Sequence, residues 1–438
     1  MSPQSQQPEF VYWFRQSSPY IRAFRNRAFV IAIDGAALVG PKFINLAQDI
    51  TLLSSLGIRI ILVHGARPQI EQRMQAQGVT LRYVNGVRVT DDSALSCVKD
   101  AVGNLRIDIE AIFSRGMSNA PTPTARTYIN SANVITAKPL GVRNGVDYCH
   151  TGEIRKVDSE AINRHLDAGE LVLLSPLGYS STGEVFNLTA NEVAMETAIA
   201  VGADKLIFLT ETEQMPSLPP ELKEITAEQA SALLPSLNLE QTEPHYLACA
   251  IEACTHGVQR THLIDRTLDG GILQELFTRE GLGILVSAQR YENIRQANIE
   301  DVGGILALIR PLEQSGVLMR RSREQLELEI NHFTVVVRDG TIVACAAIYP
   351  FDDEKIAELA CMAVHEEYQG EGRGDQLLKT LTQQAKADDL QQLFVLTTQT
   401  AHWFQERGFV SADLAMLPQS KQKLYNYQRN SKVFVKQI

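Results

Sequence analysis

Short apolar runs alternate with longer amphipathic stretches through the first two-thirds of the chain. The runs at 28–33, 58–63, 171–175, 205–209, 262–264 and 284–286 predict strands, and the stretches at 43–56, 68–77, 191–201 and 273–277 predict helices. Strands alternating with helices give a mainly parallel sheet covered on both faces, so one α/β domain is expected to about residue 285. Ahead of it, 8–25 carries Phe10, Val11, Phe14, Tyr20, Ile21 and Phe24 in an amphipathic pattern that Pro19 interrupts. Such a helix serves oligomer contacts or acts as a packing arm.

The pattern changes after the polar stretch 287–295, which reads as a linker. Ile305, Leu308, Ile309 and Leu312 share one helix face, and Ser322 with Gln325 forms a capping-box signature before Leu326 and Ile330. Two apolar runs flank Asp339-Gly340, a hairpin signal. Strands at 355–364 and 393–397 then enclose a glycine-rich loop and a helix over 375–387, and 433–435 closes the chain. Two helices, an antiparallel meander and a strand–loop–helix unit make an α+β second domain over 296–438, against 1–286 for the first.

With 438 residues and 45% apolar positions the chain can bury real cores in two or three domains. A formal charge of −10 and no Lys/Arg block argue against a nucleic-acid surface. Apolar stretches fall short of a membrane span, and the polar start MSPQSQQPE has no signal-peptide layout. The six cysteines (97, 149, 249, 254, 345 and 361) show no CxxC pair and no metal-ligand spacing, so buried reduced thiols, no metal and a cytoplasmic setting are expected.

The chemistry gathers around 364–374. A strand, the segment Gln369-Gly370-Glu371-Gly372-Arg373-Gly374 and a helix N-terminus make an anion site: glycines let backbone N–H groups turn inward, and the helix dipole favours negative charge. Beside it, Glu358 offers a carboxylate on the strand, placed to accept a proton.

The pattern Q-x-x-G-x-G at 369–374 resembles the pyrophosphate loop of the GNAT superfamily of acyl-CoA N-acyltransferases, and the order of elements in the last third is that of the GNAT fold. The segments VIAIDGAAL (30–38), LGIRIILVHGARPQI (56–70), VRVT (87–90), FNLTANEVA (186–194), GADKLIFLT (202–210) and GVQRTHLIDRTLDGGILQELFTREGLGILV (257–286) resemble the amino-acid kinase family, N-acetylglutamate kinase in particular. That resemblance implies an αβα sandwich. It departs where phosphoryl transfer needs cations: Ala32 and Tyr246 stand in place of two active-site lysines, Asn191 in place of an aspartate, and Asp34 in place of a loop glycine. A working kinase is therefore not expected, although Arg88 and Asn187 match acyl-amino-acid contacts.

Together the two parts resemble the bacterial two-domain N-acetylglutamate synthase family, as do IRPLEQSGVLMRRSREQLE (309–327), ELACMAV (358–364), LFVLTT (393–398), HWFQERGF (402–409) and LYNYQRNSK (424–432). The resemblance implies acetyl transfer from acetyl-CoA to L-glutamate, with L-arginine as an inhibitor acting on the kinase-like domain. It assigns Glu358 as the base, acting through a water, and Thr397 as hydrogen-bond partner of the leaving thiolate. The main chain of Cys361, Met362, Ala363 and Val364 would polarise the thioester and hold the pantetheine arm. Gln369, Gly370, Glu371, Gly372, Arg373 and Gly374 would take the pyrophosphate, and Met319, Arg321, Arg429 and Ser431 the glutamate. Tyr20, His262, Glu275, Gly281 and Gly283 match an arginine site, with Glu275 pairing the guanidinium, bidentately if geometry allows. A homo-oligomer, a hexameric ring among the options, is also implied. Acetylation of a different amine, and an inert amino-acid sensor, stay open as alternatives.

Overall fold

A computed structural model describes residues 9–38, 40–115, 127–210, 224–236, 246–278, 281–288, 292–338, 340–370, 372–423, 425 and 429–438. The chain divides into two compact units, Met1–Arg290 and Tyr291–Ile438.

In the first unit, β1 (Ala28–Ile33), β2 (Arg59–His64), β3 (Ile129–Ser131), β4 (Leu171–Leu174), β5 (Lys205–Thr210), β6 (Glu224–Thr226), β7 (Arg260–Asp265) and β8 (Ile284–Ser287) form one sheet. Its order is β6-β8-β7-β5-β1-β2-β4-β3, with every neighbouring pair parallel except β7–β8. Side chains alternate across it. Phe29, Ile31 and Ile33 pack with the helices Pro41–Ser55, Arg67–Ala76 and Asp92–Phe113, whereas Val30 and Ala32 face Ser159–Asp167, Ala190–Val201 and Tyr246–Thr255. Fully apolar runs such as FVIAI are what a sheet buried on both faces requires, and this is the αβα sandwich expected. A second sheet, not foreseen, joins Val185–Asn187, Leu177–Tyr179, Ile135–Pro139 and Gly152–Val157.

Helix α1 (Glu9–Phe24) continues past Pro19 instead of stopping there. Tertiary contacts hold the turn: Ser17 Oγ donates to Trp13 O at 3.0 Å and lies 3.2 Å from Phe277 O. The Phe24 ring packs 5.3 Å from Phe29 and 5.9 Å from Phe277 at the end of α2 (Gly271–Phe277), so packing outweighs the lost backbone bond.

The second unit contains β9 (Glu292–Gln296), β10 (Phe333–Arg338), β11 (Thr341–Phe351), β12 (Ile356–Val364), β13 (Gln392–Thr397), β14 (Val410–Ala412) and β15 (Lys432–Gln437). They form one sheet in the order β9-β10-β11-β12-β13-β15-β14, antiparallel except at β12–β13. Helices α3 (Val302–Gln314) and α4 (Arg323–Glu329) cover one face and α5 (Arg373–Ala387) the other. Two short helices, α6 (Ala401–Gln405) and α7 (Gln419–Lys423), follow β13 and β14. The stretch expected as a linker ends in strand β9, whose polar residues suit a sheet edge and whose Ile294 packs inward. Five cysteines are buried, but Cys149 is exposed, on a turn with φ 53°.

Candidate active site and a second charged cluster

The parallel ladder between β12 and β13 ends at Glu358–Phe394, although both strands continue beyond it. On its other edge β12 stays paired with β11 out to Ala344–Val364, with a register shift at Cys345–Ala347. Cys361 takes φ 52° there, a left-handed bulge that turns the strand. Cys345 Sγ lies 3.6 Å from the Cys361 carbonyl oxygen, and both thiols are buried. Past Glu358, then, Met362, Ala363 and Val364 lie on the stretch of β12 whose ladder to β13 has ended.

Glu358 is 7% exposed and stands between two apolar clusters, with Ile356 in one and Cys361 in the other. Its carboxylate is ion-paired with Lys421 of α7, a partner that nothing local in the sequence announces. Its register partner across the sheet is Tyr349, whose hydroxyl donates to Glu329 at 2.6 Å. Thr397 ends β13; its Oγ1 accepts the Thr400 N–H at 3.1 Å and lies 2.8 Å from Thr400 Oγ1.

The glycine loop delivers the helix N-terminus foreseen, two residues earlier than expected. Gly370 (φ 87°) and Gly372 (φ 79°) turn the chain, and Gly372 caps α5 without any side-chain cap. The first backbone N–H groups of a fifteen-residue helix are thus left for an anion. Gln369 Nε2 donates to Val364 O at 3.1 Å, closing the loop on its strand. The Arg373 side chain, assigned to pyrophosphate by the resemblance, is instead 5% exposed. Its Nε donates to Glu292 at 2.8 and 3.0 Å and its Nη1 to Tyr368 O at 3.0 Å, with the guanidinium 4.9 Å from the Tyr368 ring centre. Only its backbone faces the anion site's task. Gly374 lies against Trp403, where a Cβ would come within 3.0 Å. Glu371 lies outside the described residues.

Of the residues assigned to glutamate, Arg321 is half-buried; its backbone N–H donates to Glu313 at 2.9 Å and its Nη1 to Met319 O at 3.4 Å. Arg429 donates to the Val317 carbonyl, and Ser431, 9% exposed, accepts the Tyr425 hydroxyl at its own carbonyl at 2.6 Å. Met319 is 59% exposed.

In the first unit, His262 and Glu275 meet at 2.6 Å, both buried, and Lys205 Nζ lies 3.1 Å from the other ring nitrogen of His262. Burial, then the Lys205 charge, lower the His262 pKa to about 4 against the pull of Glu275. The ring is therefore neutral near pH 7, donating through Nδ1 and accepting from Lys205. Burial works against the Glu275 charge too, yet His262 and the N–H groups of Gly283 and Leu282 hold its pKa at about 2. One carboxylate oxygen takes His262 and the other takes Leu282 N–H and Gly283 N–H, the latter at 2.8 Å. One acceptor position remains, so a guanidinium can be met end-on at Glu275 but not bidentately. At Gly283 a Cβ would come 2.3 Å from Leu263 O, which is why that position has no side chain. Tyr20 lies on α1 against the same core, one turn from Phe24, whose ring is 5.2 Å from Lys205 Nζ.

A separate cleft of ≈ 80 Å³ is lined by Ala32, Asp34, Arg88, Asn187, Asn191 and Tyr246 among others, and by no lysine among the described residues. Arg88 is engaged by the Tyr83 hydroxyl and, at 3.4 Å, by Glu71, while Tyr246 donates to Asp34 at 3.3 Å. Among the described residues, Ala32 and Tyr246 stand in this cleft where the resemblance places the lysines that a phosphoryl transfer uses. Among the described residues no His, Cys, Asp or Glu group could hold a metal, and no helix is long and apolar enough to cross a membrane.

A bulged strand parting from its parallel neighbour, followed by a glycine-turned helix N-terminus, defines an acetyltransferase of the GNAT class, carried on a chain that also holds an amino-acid-kinase fold. Comparison with known proteins agrees. The amino acid kinase family model matches residues 27–265 and the acetyltransferase (GNAT) domain model residues 329–411. Amino-acid acetyltransferases of Pseudomonas fluorescens (strain SBW25) and Pseudomonas syringae pv. syringae are each 50% identical over 432 residues, covering 98% of this chain and 100% of theirs. The chain is 37% identical to N-acetylglutamate synthase from Neisseria gonorrhoeae complexed with coenzyme A and L-arginine, with a TM-score of 0.90 over 98% of this chain and 100% of that one. The same enzyme complexed with coenzyme A and N-acetyl-glutamate is 38% identical with a TM-score of 0.62, covering 98% of this chain and 99% of that one. The chain belongs to the amino-acid acetyltransferase family, that of N-acetylglutamate synthase.

Proposed function

We propose that the protein transfers the acetyl group of acetyl-CoA to the α-amino group of L-glutamate, and that L-arginine bound to the first unit inhibits the reaction. One observation carries the reading: the buried carboxylate of Glu358 sits where β12 and β13 part, on the strand that leads into the uncapped N-terminus of α5. The geometry suits acetyl-CoA. Freed backbone along Cys361–Val364 can receive a pantetheine arm as an added strand, and the N–H groups of α5 with the turns at Gly370 and Gly372 can receive the pyrophosphate. The thioester supplies an activated acyl group; the protein supplies position and proton control.

Glu358 accepts the proton of the glutamate ammonium through a water, leaving the amine free to attack. Main-chain N–H groups at the bulge polarise the thioester carbonyl, an effect concentrated by a buried floor. The Thr397 hydroxyl stabilises the departing thiolate by hydrogen bonding. Arg321 and Arg429, with Ser431 and the Met319 backbone, hold the two substrate carboxylates. Arginine is received end-on by Glu275, with His262 and Lys205 fixing that carboxylate, Gly281 and Gly283 shaping the loop, and Tyr20 on α1 closing the site. Residues 1–286 then act as the regulatory domain and 296–438 as the catalytic one. The exposed Phe10, Trp13 and Phe14 of α1 support assembly into a homo-oligomer, and five buried free thiols fit the cytoplasm.

CoA release from acetyl-CoA tests the reading. It should require L-glutamate, fall with arginine, and drop about 10²–10⁴-fold in kcat in Glu358→Gln with the acetyl-CoA KM little changed. Release that ignores glutamate would refute the substrate; release that ignores arginine would refute the effector alone.

A further inference from the structure

The base of the reaction is not free in this structure: Lys421 holds Glu358 in an ion pair, the lysine side chain 30% and the carboxylate 9% exposed. We propose that Lys421 is a specificity-determining residue that guards Glu358 until a carboxylate-bearing amine arrives, and then transfers its ammonium to a substrate carboxylate. The proposal rests on the glutamate reading above.

The argument is one of charge. An incoming ammonium must approach Glu358 to lose its proton, and Lys421 already occupies that place. Two ammonium groups at one carboxylate repel, so Lys421 must leave, and a cation leaves a buried anion cheaply only if another anion replaces it. L-Glutamate brings two. A simple amine brings none, and cannot displace the lysine without stranding its charge. The two arginines assigned to the substrate already have chain partners: Arg429 donates to Val317 O, and Arg321 Nη1 donates to Met319 O at 3.4 Å. Lys421 is the more mobile donor, a point charge on a flexible stem at the half-exposed helix α7, suited to change partners. Among the described residues its register neighbours on the sheet are Tyr349 from β11, whose hydroxyl donates to Glu329 of α4, and the uncharged Phe394 from β13.

Steady-state kinetics on the full chain, wild type beside Lys421→Met and Lys421→Arg, tests this. In Lys421→Met the KM for L-glutamate should rise at least about tenfold with the acetyl-CoA KM unchanged. Lys421→Arg should restore most of the glutamate KM. An unchanged glutamate KM in a wild-type-like, glutamate-active background overturns the proposal alone. Equal losses in both variants with a lowered melting temperature overturn it in favour of a scaffold role. A wild type without glutamate-dependent release overturns the glutamate reading and this proposal with it.

Discussion

Arg373 stands inside the motif that reads as an anion site, yet its guanidinium is committed to Glu292, eighty-one positions upstream, and to the Tyr368 carbonyl. Glu292 also takes Arg338 at 3.1 Å, so one carboxylate ties the loop to the sheet edge. Truncating Arg373 to Met leaves Glu292 poorly compensated in a mostly buried place, which costs about 2–4 kcal/mol. Expected for Arg373→Met is a melting temperature lowered by roughly 5–10 °C. A direct phosphate ligand would instead raise the acetyl-CoA KM with the melting temperature intact. The contrast shows what a sequence discloses at this scale. The places of Glu358 and Thr397 on strands were legible because each lies in an apolar run, along β12 and β13. The partners of Arg373 and Glu358 were not, because Glu292 and Lys421 reach them across the fold and an isolated Glu or Lys looks like any solvated one.

Among elements, the N-terminus of α5 depends on backbone shape more than on side chains. Nothing lies within 4 Å of where a Cβ would stand at Gly372, so an alanine there fits in space but not in conformation, at φ 79°. Gly303, on α3, has the same open surroundings and no positive φ. The same substitution should therefore have opposite signs. Gly372→Ala should lose about 1–2 kcal/mol and raise the acetyl-CoA KM severalfold, whereas Gly303→Ala should gain about 0.5–1 kcal/mol with unchanged kinetics. Urea denaturation and acetyl-CoA titrations of the two variants decide it; equal effects would mean that volume, not backbone conformation, governs the loop. The long buried strands β1, β2, β5 and β12 were legible for a related reason, since a continuous apolar run bounded by glycine or polar residues has few alternatives. Strands such as Ile135–Pro139 and Leu177–Tyr179 were not: ITAKP and LGY are too short and mixed to show a period. The course of α1 through Pro19 was illegible because Phe277, which braces it, lies far along the chain.

For the molecule as a whole, the two units keep separate apolar cores and differ in how they meet acid. Burial holds His64 at about 4, and burial with the Lys205 charge holds His262 at about 4, both in the first unit. The unfolded chain takes up these protons near pH 6.5, so between 6.5 and 4 it binds more protons than the folded one and stability is lost as pH falls. Each histidine contributes up to about 1.4 kcal/mol per pH unit in that window. Glu275, held at about 2, extends the loss below its ordinary value near 4.5. Asp49, raised to about 6 by burial and then by Asp269, acts in the opposite sense, but its partial exposure weakens it. The first unit should thus lose thermal stability on going from pH 7 to 5, and calorimetry should show its transition moving while that of the second unit moves less. His64→Asn, which removes one of the two protons, should flatten the slope; a transition that holds or rises on acidification would contradict the assignment. Within the folded unit, however, His262 takes its proton only near pH 4, so its hold on Glu275, and with it fractional inhibition by arginine, should persist between pH 6.5 and 5 for as long as the unit stays folded.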